Sequence, residues 1–215
     1  MNAMVEEIFA TEEKDILQEV MNIAFGQASA DLAEVIDIFV VLSVPNIQVI
    51  QGRDLPKYLL EEIHSSGLVN IIEQGFLGKF SGQALLIFPC GAEKVLLNLF
   101  NQGAEAVGGC DIDVDTLELE TLMEVGNILI GACIGKIAEL LQDIVTYDPP
   151  RLIAQDFSLE HPKCCPIDEN SFAISIRTVF RFEQEDVEGY LFLITNQRSI
   201  EWLKKALYAF LESFE

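Results

Sequence analysis

From Thr11 onward the apolar residues recur at helical spacing. Leu17, Val20, Ala24, Ala28 and Val35 fall on one side of a helical wheel. Asp15, Glu19, Asn22 and Gly26 fall within an arc of about 60° on the other side. The pattern predicts a long helix over 11–36, begun by Thr11 as a capping hydroxyl with Glu12 and Glu13 at the positive end of its dipole. An extended segment over 38–50, strands over 68–78 and 81–88 and a helix over 91–102 follow from period and breakers. The same succession then returns over 113–142, 144–156, 171–182, 187–195 and 197–213. Strands such as SFAISIRTVFRF alternate apolar and polar residues, which predicts antiparallel pairing with one covered face.

The return is an internal duplication. DILQEVMNIAFGQASADLAEVI from Asp15 aligns with ETLMEVGNILIGACIGKIAELL from Glu120 at a constant offset of 105 residues. Leu17, Glu19, Val20, Asn22, Ile23, Gly26, Ala33 and Glu34 recur as Leu122, Glu124, Val125, Asn127, Ile128, Gly131, Ala138 and Glu139, and Pro45 recurs as Pro150. GQALLIF from Gly82 matches GYLFLIT from Gly189 at an offset of 107. No Gly/Ser/Pro-rich linker parts the halves. The expected fold is therefore α+β: one domain over 1–215, built from repeats at about 11–104 and 113–213. In it two long helices pack side by side on a shared, mostly antiparallel sheet, related by a pseudo-twofold axis.

Composition removes several functions. Of 215 residues, 50% are apolar and 22% charged, a balance that folds around a core rather than remaining a disordered acidic tail. Thirteen basic residues against thirty-five acidic ones leave a formal charge of −22, with no basic cluster. A nucleic-acid partner is thereby excluded, since phosphate backbones require a positive footprint. No run of about 18 uncharged apolar residues offers a membrane span. The acidic start MNAMVEEIFATEEKD is unlike a secretory signal, so a cytoplasmic protein is expected. Cys90, Cys110, Cys133, Cys164 and Cys165 lack zinc-type pair spacing and fit reduced thiols, although the adjacent Cys164 and Cys165 leave a metal or redox site open. Only His64 and His161 could assist them.

The outward stripe carries the chemistry. Each long helix places a carboxylate and an amide one turn apart, Glu19 with Asn22 and Glu124 with Asn127, between an acid (Asp15, Glu120) and a glycine (Gly26, Gly131). A solvated face kept by descent is the bland reading of such a stripe. Two features argue against it. Asn is a poor helix former in mid-helix, and a glycine there costs about 1 kcal/mol relative to Ala, which implies close approach to the backbone. A proline 23 positions after each Asn is the third shared mark.

Asp15, Glu19, Asn22 and Pro45, with Glu120, Glu124, Asn127 and Pro150, resemble the motif of the CheC/CheX/FliY family: Asp or Ser, Glu, Asn and a distant Pro. Two copies in one chain are similar to the CheC arrangement. Glu120 departs from the pattern, which prefers Asp or Ser. The resemblance implies a phosphatase that hydrolyses the aspartyl phosphate of a CheY-type response regulator, with Asn22 and Asn127 holding the attacking water and Glu19 and Glu124 docking on a lysine of the partner. It implies no cofactor in this chain, the Mg²⁺ being supplied by the regulator. It also raises CheD, a receptor deamidase that binds family members, as a second partner. Because Glu120 is one methylene too long, the site around Asn22 is expected to contribute more than the one around Asn127. Two other readings stand beside this one: a non-catalytic interaction protein of the same fold, and, much more weakly, a carboxylate-based metallohydrolase.

Overall fold

The computed structural model describes residues 9–36, 39–63, 68–101, 114–157, 172–182, 187–195 and 197–212. In chain order these form helix α1 (Thr11–Ile36), strands β1 (Val40–Leu42) and β2 (Asn46–Gln51), a 3-10 turn (Gly52–Asp54), helix α2 (Leu55–Glu62), strands β3 (Val69–Leu77) and β4 (Gly82–Pro89) and helix α3 (Ala92–Asn101). The second half supplies α4 (Val114–Leu140), β5 (Thr146–Tyr147), β6 (Arg151–Phe157), β7 (Phe172–Phe182), β8 (Val187–Thr195) and α5 (Gln197–Glu212).

All strands pair antiparallel in a single sheet ordered β1-β7-β8-β4-β3-β5, with β2 continuing beside β7 and β6 beside β3. The repeats are thus interleaved. The first repeat's β1 and β2 border the second repeat's β7, while β5 and β6 border β3. Two pairings mark the pseudo-twofold axis, because there equivalent residues face each other. In the sheet, Leu85 of β4 pairs with Phe192 of β8, its counterpart at the 107-residue offset. Between the long helices, Lys136 Nζ meets Asp31 Oδ2 at 2.9 Å, and the two positions are 105 apart. Gly82 at the start of β4 and Gly189 near the start of β8 obey the same symmetry. A Cβ on Gly82 would lie 2.2 Å from the Ile194 carbonyl oxygen, and one on Gly189 2.4 Å from that of Ile87, so neither strand tolerates a side chain there.

The core lies mainly between the helices and one face of the sheet. Leu17, Val20, Met21, Ala24, Phe25 and Ala28 of α1 and Leu122, Val125, Leu129, Ile130, Cys133 and Ile134 of α4 are buried against Ile72, Phe76, Leu86, Ile176, Phe180 and Leu193. Removing each large side chain from water contributes about 1.5–3 kcal/mol. The stripe residues Leu17, Val20, Ala24 and Ala28 are buried as the periodicity requires. Val35's side chain is outside the described set. Helix α4 contains an 18-residue window apolar enough to cross a membrane by length and composition, which the search for uncharged runs passes over. It is the core helix of the sheet, with Glu120, Glu124 and Glu139 at its surface.

Three local readings change. Thr11 is the first helical residue rather than the cap. Glu13 instead reaches back so that the Ala10 N–H donates to its Oε2 at 2.9 Å, the carboxylate half of a capping box. Each extended segment is split in two, β1 from β2 and β5 from β6, with Pro45 and Pro150 in the gaps, where the missing N–H interrupts the ladder. Helix α2, absent from the sequence reading, carries Leu55, Tyr58 and Leu59 onto the opposite sheet face against Ile71, Leu85, Ile87 and Phe192, forming a second, smaller core.

Candidate functional site

The two polar stripes project from α1 and α4 away from the sheet. Asp15, Glu19 and Gly26 are exposed on α1, as are Glu120 and Glu124 on α4, while Gly131 is half-buried. Asn22 and Asn127 are also half-buried rather than freely exposed, against the expectation for a solvated stripe. At about 100° per residue each Asn occupies the edge of its stripe nearest the core-facing side chains, Phe25 in α1 and Ile130 in α4. Each therefore stands where the helix meets the sheet, with its carboxylate neighbour outside. Among the described residues a Cβ at Gly26 or Gly131 would meet nothing within 4 Å, so none of them requires these glycines for space on that side.

Beneath the stripes the sheet supplies what the sequence reading did not find. In β3, Gln74 is buried, at 2% exposure, and donates from Nε2 both to Asn127 Oδ1 at 2.8 Å and to the Asp148 backbone carbonyl at 2.9 Å. The Asp148 carbonyl belongs to the short link between β5 and Pro150, and the Asp148 N–H donates to the Gly75 carbonyl at 2.9 Å. The equivalent place beside α1 reproduces the backbone half of this arrangement. Ser43, the counterpart of Asp148, donates its N–H to the Val179 carbonyl at 2.8 Å, and its own carbonyl accepts from Thr178 Oγ1 at 2.7 Å. Pro45 is buried and Pro150 half-buried. Each follows the carbonyl that the sheet residue holds by two positions and stands immediately before the longer strand, β2 or β6. At the second site only, the Tyr147 hydroxyl donates to the Gly131 carbonyl at 3.4 Å, and partial burial pushes the Tyr147 pKa up.

Elsewhere the candidate chemistry is thin. Among the described residues no three or more His, Cys, Asp or Glu gather as a metal-holding group. Cys133 is a core residue whose thiol burial pushes up to about 12, which leaves it without thiolate character at neutral pH. Cys90 is exposed. Cys110, Cys164 and Cys165, with His64 and His161, lie outside the described residues. The surviving arrangement is a pair of acidic, outward helix faces, each with an amide at its base. It can position a water and attract a cationic group, but it holds no nucleophile of its own.

No family model matches the sequence. Solved structures do match the fold. FliY from Thermotoga maritima superposes with a TM-score of 0.67 at 16% identity, covering 94% of this chain and 98% of that one. The FliM middle domain from H. pylori gives 0.54 at 9% identity over 92% and 99% of the two chains. A FliG–FliM complex from H. pylori gives 0.58 at 10% identity over 92% and 100%. FliY is also one of the names in the family that the two motifs resemble. The chain has the fold that FliY shares with the FliM middle domain.

Proposed function

We propose that this chain is a phosphatase of the CheC/CheX/FliY family, hydrolysing the aspartyl phosphate of a CheY-type response regulator in the cytoplasm and so ending the chemotaxis signal. The observation that carries the reading is the twofold recurrence, on equivalent helix faces, of an exposed Glu and a half-buried Asn three residues on. The roles follow from the donor sets. A carboxamide both donates to and accepts from one water, so Asn22 or Asn127 can hold it in line with the phosphorus. The water oxygen forms a bond to phosphorus as the bond to the acyl oxygen breaks. The aspartate leaves as a carboxylate, and the water's protons pass to the phosphate and solvent. The acyl phosphate is already activated, so positioning rather than a strong base is the main requirement. Glu19 and Glu124, flanked by Asp15 and Glu120, pair with a lysine of the regulator, which also brings the Mg²⁺. A chain of formal charge −22 favours such a cationic contact.

A second reading is a non-catalytic binder, as FliM is in its complex with FliG. Exposed apolar residues, Phe39, Val41 and Val44 around β1 and Leu77, Ile144 and Tyr147 around the β3–β5 edge, favour a contact surface under either reading. CheD is a further candidate for it. Decay of a radiolabelled phospho-regulator separates the two. The first reading expects faster decay with the wild-type chain and no acceleration by the Asn22→Ala, Asn127→Ala double variant. Binding without acceleration by the wild type overturns it.

A further inference from the structure

Resting on the phosphatase reading, we propose that Gln74 is a positioning residue for Asn127, and that it makes the site on α4 the better organised of the two. The assignment begins from a group that cannot turn round. The Asp148 carbonyl is a backbone acceptor, so the Gln74 amide must present its nitrogen to it. The same Nε2 carries a second hydrogen, and that one reaches Asn127. Asn127 must answer with Oδ1, since its own Nδ2 would set donor against donor. A fixed carbonyl in a loop thus sets the rotamer of a helix amide through a single buried side chain.

What remains of Asn127 is what a water needs. One lone pair of Oδ1 and both hydrogens of Nδ2 are uncommitted by this link, and Nδ2 is on the branch of the amide away from Gln74. Gln74 keeps its own Oε1 buried with no hydrogen-bond partner. Burial of an unmatched acceptor destabilises a fold, so a residue serving only to satisfy the Asp148 carbonyl would be simpler.

The strand under the α1 site, β7 of the second repeat, contains that simpler residue. Phe76 of β3 pairs with Gly82 at the start of β4, and Phe180 of β7 pairs with Gly189 in β8. Gln74 and Thr178 stand two residues before these phenylalanines and are therefore equivalent. Thr178 spends its single hydroxyl hydrogen on the Ser43 carbonyl at 2.7 Å and has none left for Asn22. Among the described residues Asn22 has no side-chain hydrogen bond holding it.

The test is Gln74→Thr, which copies the solution already present at Thr178 and should therefore fold; Gln74→Met, which keeps the length and drops the hydrogens, is the second variant. Each is made in two backgrounds and assayed as steady-state decay of the phospho-regulator. With only the α4 site working (Asn22→Ala), kcat should fall about tenfold with KM little changed, because positioning and not docking is lost. With only the α1 site working (Asn127→Ala), the same substitution should leave the remaining rate in place. Equal losses in the two backgrounds would mark Gln74 as merely structural and overturn the inference while leaving the phosphatase reading intact. A wild-type chain that fails to accelerate decay overturns both.

Discussion

The stripe on α1 and the stripe on α4 share an acid, a Glu, an Asn and a Gly at the same spacing, and they rest on different floors. Both floors meet one backbone requirement: the carbonyl two residues before the shared proline accepts from a buried sheet residue, Thr178 for Ser43 and Gln74 for Asp148. Only the longer side chain has a hydrogen to spare for the Asn amide on the helix. The comparison teaches which part of a duplicated site the fold enforces. A partly buried carbonyl is paired in both copies, and losing its partner would cost up to about 1–3 kcal/mol. The orientation of an Asn on the surface above is under no such demand, and it differs.

The largest effect expected from this difference is in the single Asn variants. The sequence alone ranks Asn22 above Asn127, because Glu120 is a longer acid than the family motif prefers. The geometry gives the opposite ranking, since a held amide begins near its working orientation whereas a free one must find it. Asn127→Ala should therefore lower the rate of phospho-regulator decay about tenfold more than Asn22→Ala. Initial rates at limiting regulator decide the point. Equal losses would dissolve the comparison, and a greater loss from Asn22→Ala would return the decisive role to residue 120.

Much of this fold is written in local pattern. The two helices, their buried stripes and the strands over β3, β4, β7 and β8 follow from period, and the twofold relation follows from constant offsets. The interleaving does not. Each repeat reads as a unit, yet β1 and β2 pair with β7 from the other half, a choice made by long-range packing of the sheet edges. Helix α2 was hidden for a local reason: its eight residues, LPKYLLEE, are too few to establish a period, although a proline in the first turn and apolar residues at 55, 58 and 59 are its traces. At the site, the Glu–Asn pairs were legible because both members lie on one helix. Gln74 was not, being 53 residues from Asn127 on a strand of the other repeat, where only the register brings them together.

A smaller effect tests the glycines on the two stripes. Because a Cβ at either position meets nothing within 4 Å, Gly26→Ala and Gly131→Ala should each stabilise the helix by about 0.5–1 kcal/mol. On a chain this size that raises Tm by about 1–4 °C. If a docked regulator approaches the helix backbone there, the same methyl raises KM. The comparison is sharpened by the size of the kinetic change: Gly131→Ala should cost more decay activity than Gly26→Ala for a similar gain in Tm. A gain in stability with unchanged KM at both positions would remove any role for the glycines in docking.

The smallest effect lies on the axis between the two stripes, where an exact twofold would set like against like. Asp31 and Lys136 are equivalent positions, and divergence has made them opposite charges, with Lys136 Nζ 2.9 Å from Asp31 Oδ2 and 3.1 Å from Glu139 Oε2. Hydrogen bonding to Asp31 first, and to Glu139 next, raises the Lys136 pKa. The folded chain therefore prefers the ammonium. Its stabilisation is complete below the ordinary lysine pKa of about 10.4 and is lost as pH climbs through the raised value. Asp31→Asn should lower Tm slightly and evenly from pH 7 to 9, and the gap to wild type should close toward pH 11. Asp31→Lys, which restores like charges at the axis, should lower Tm further over the neutral range, while leaving the ranking of Asn127 over Asn22 untouched. Thermal unfolding of the three proteins across that range measures it. A gap that does not begin to narrow as pH rises above about 10.4 would mean that packing of the aspartate stem, rather than its charge, joins the two helices at their axis.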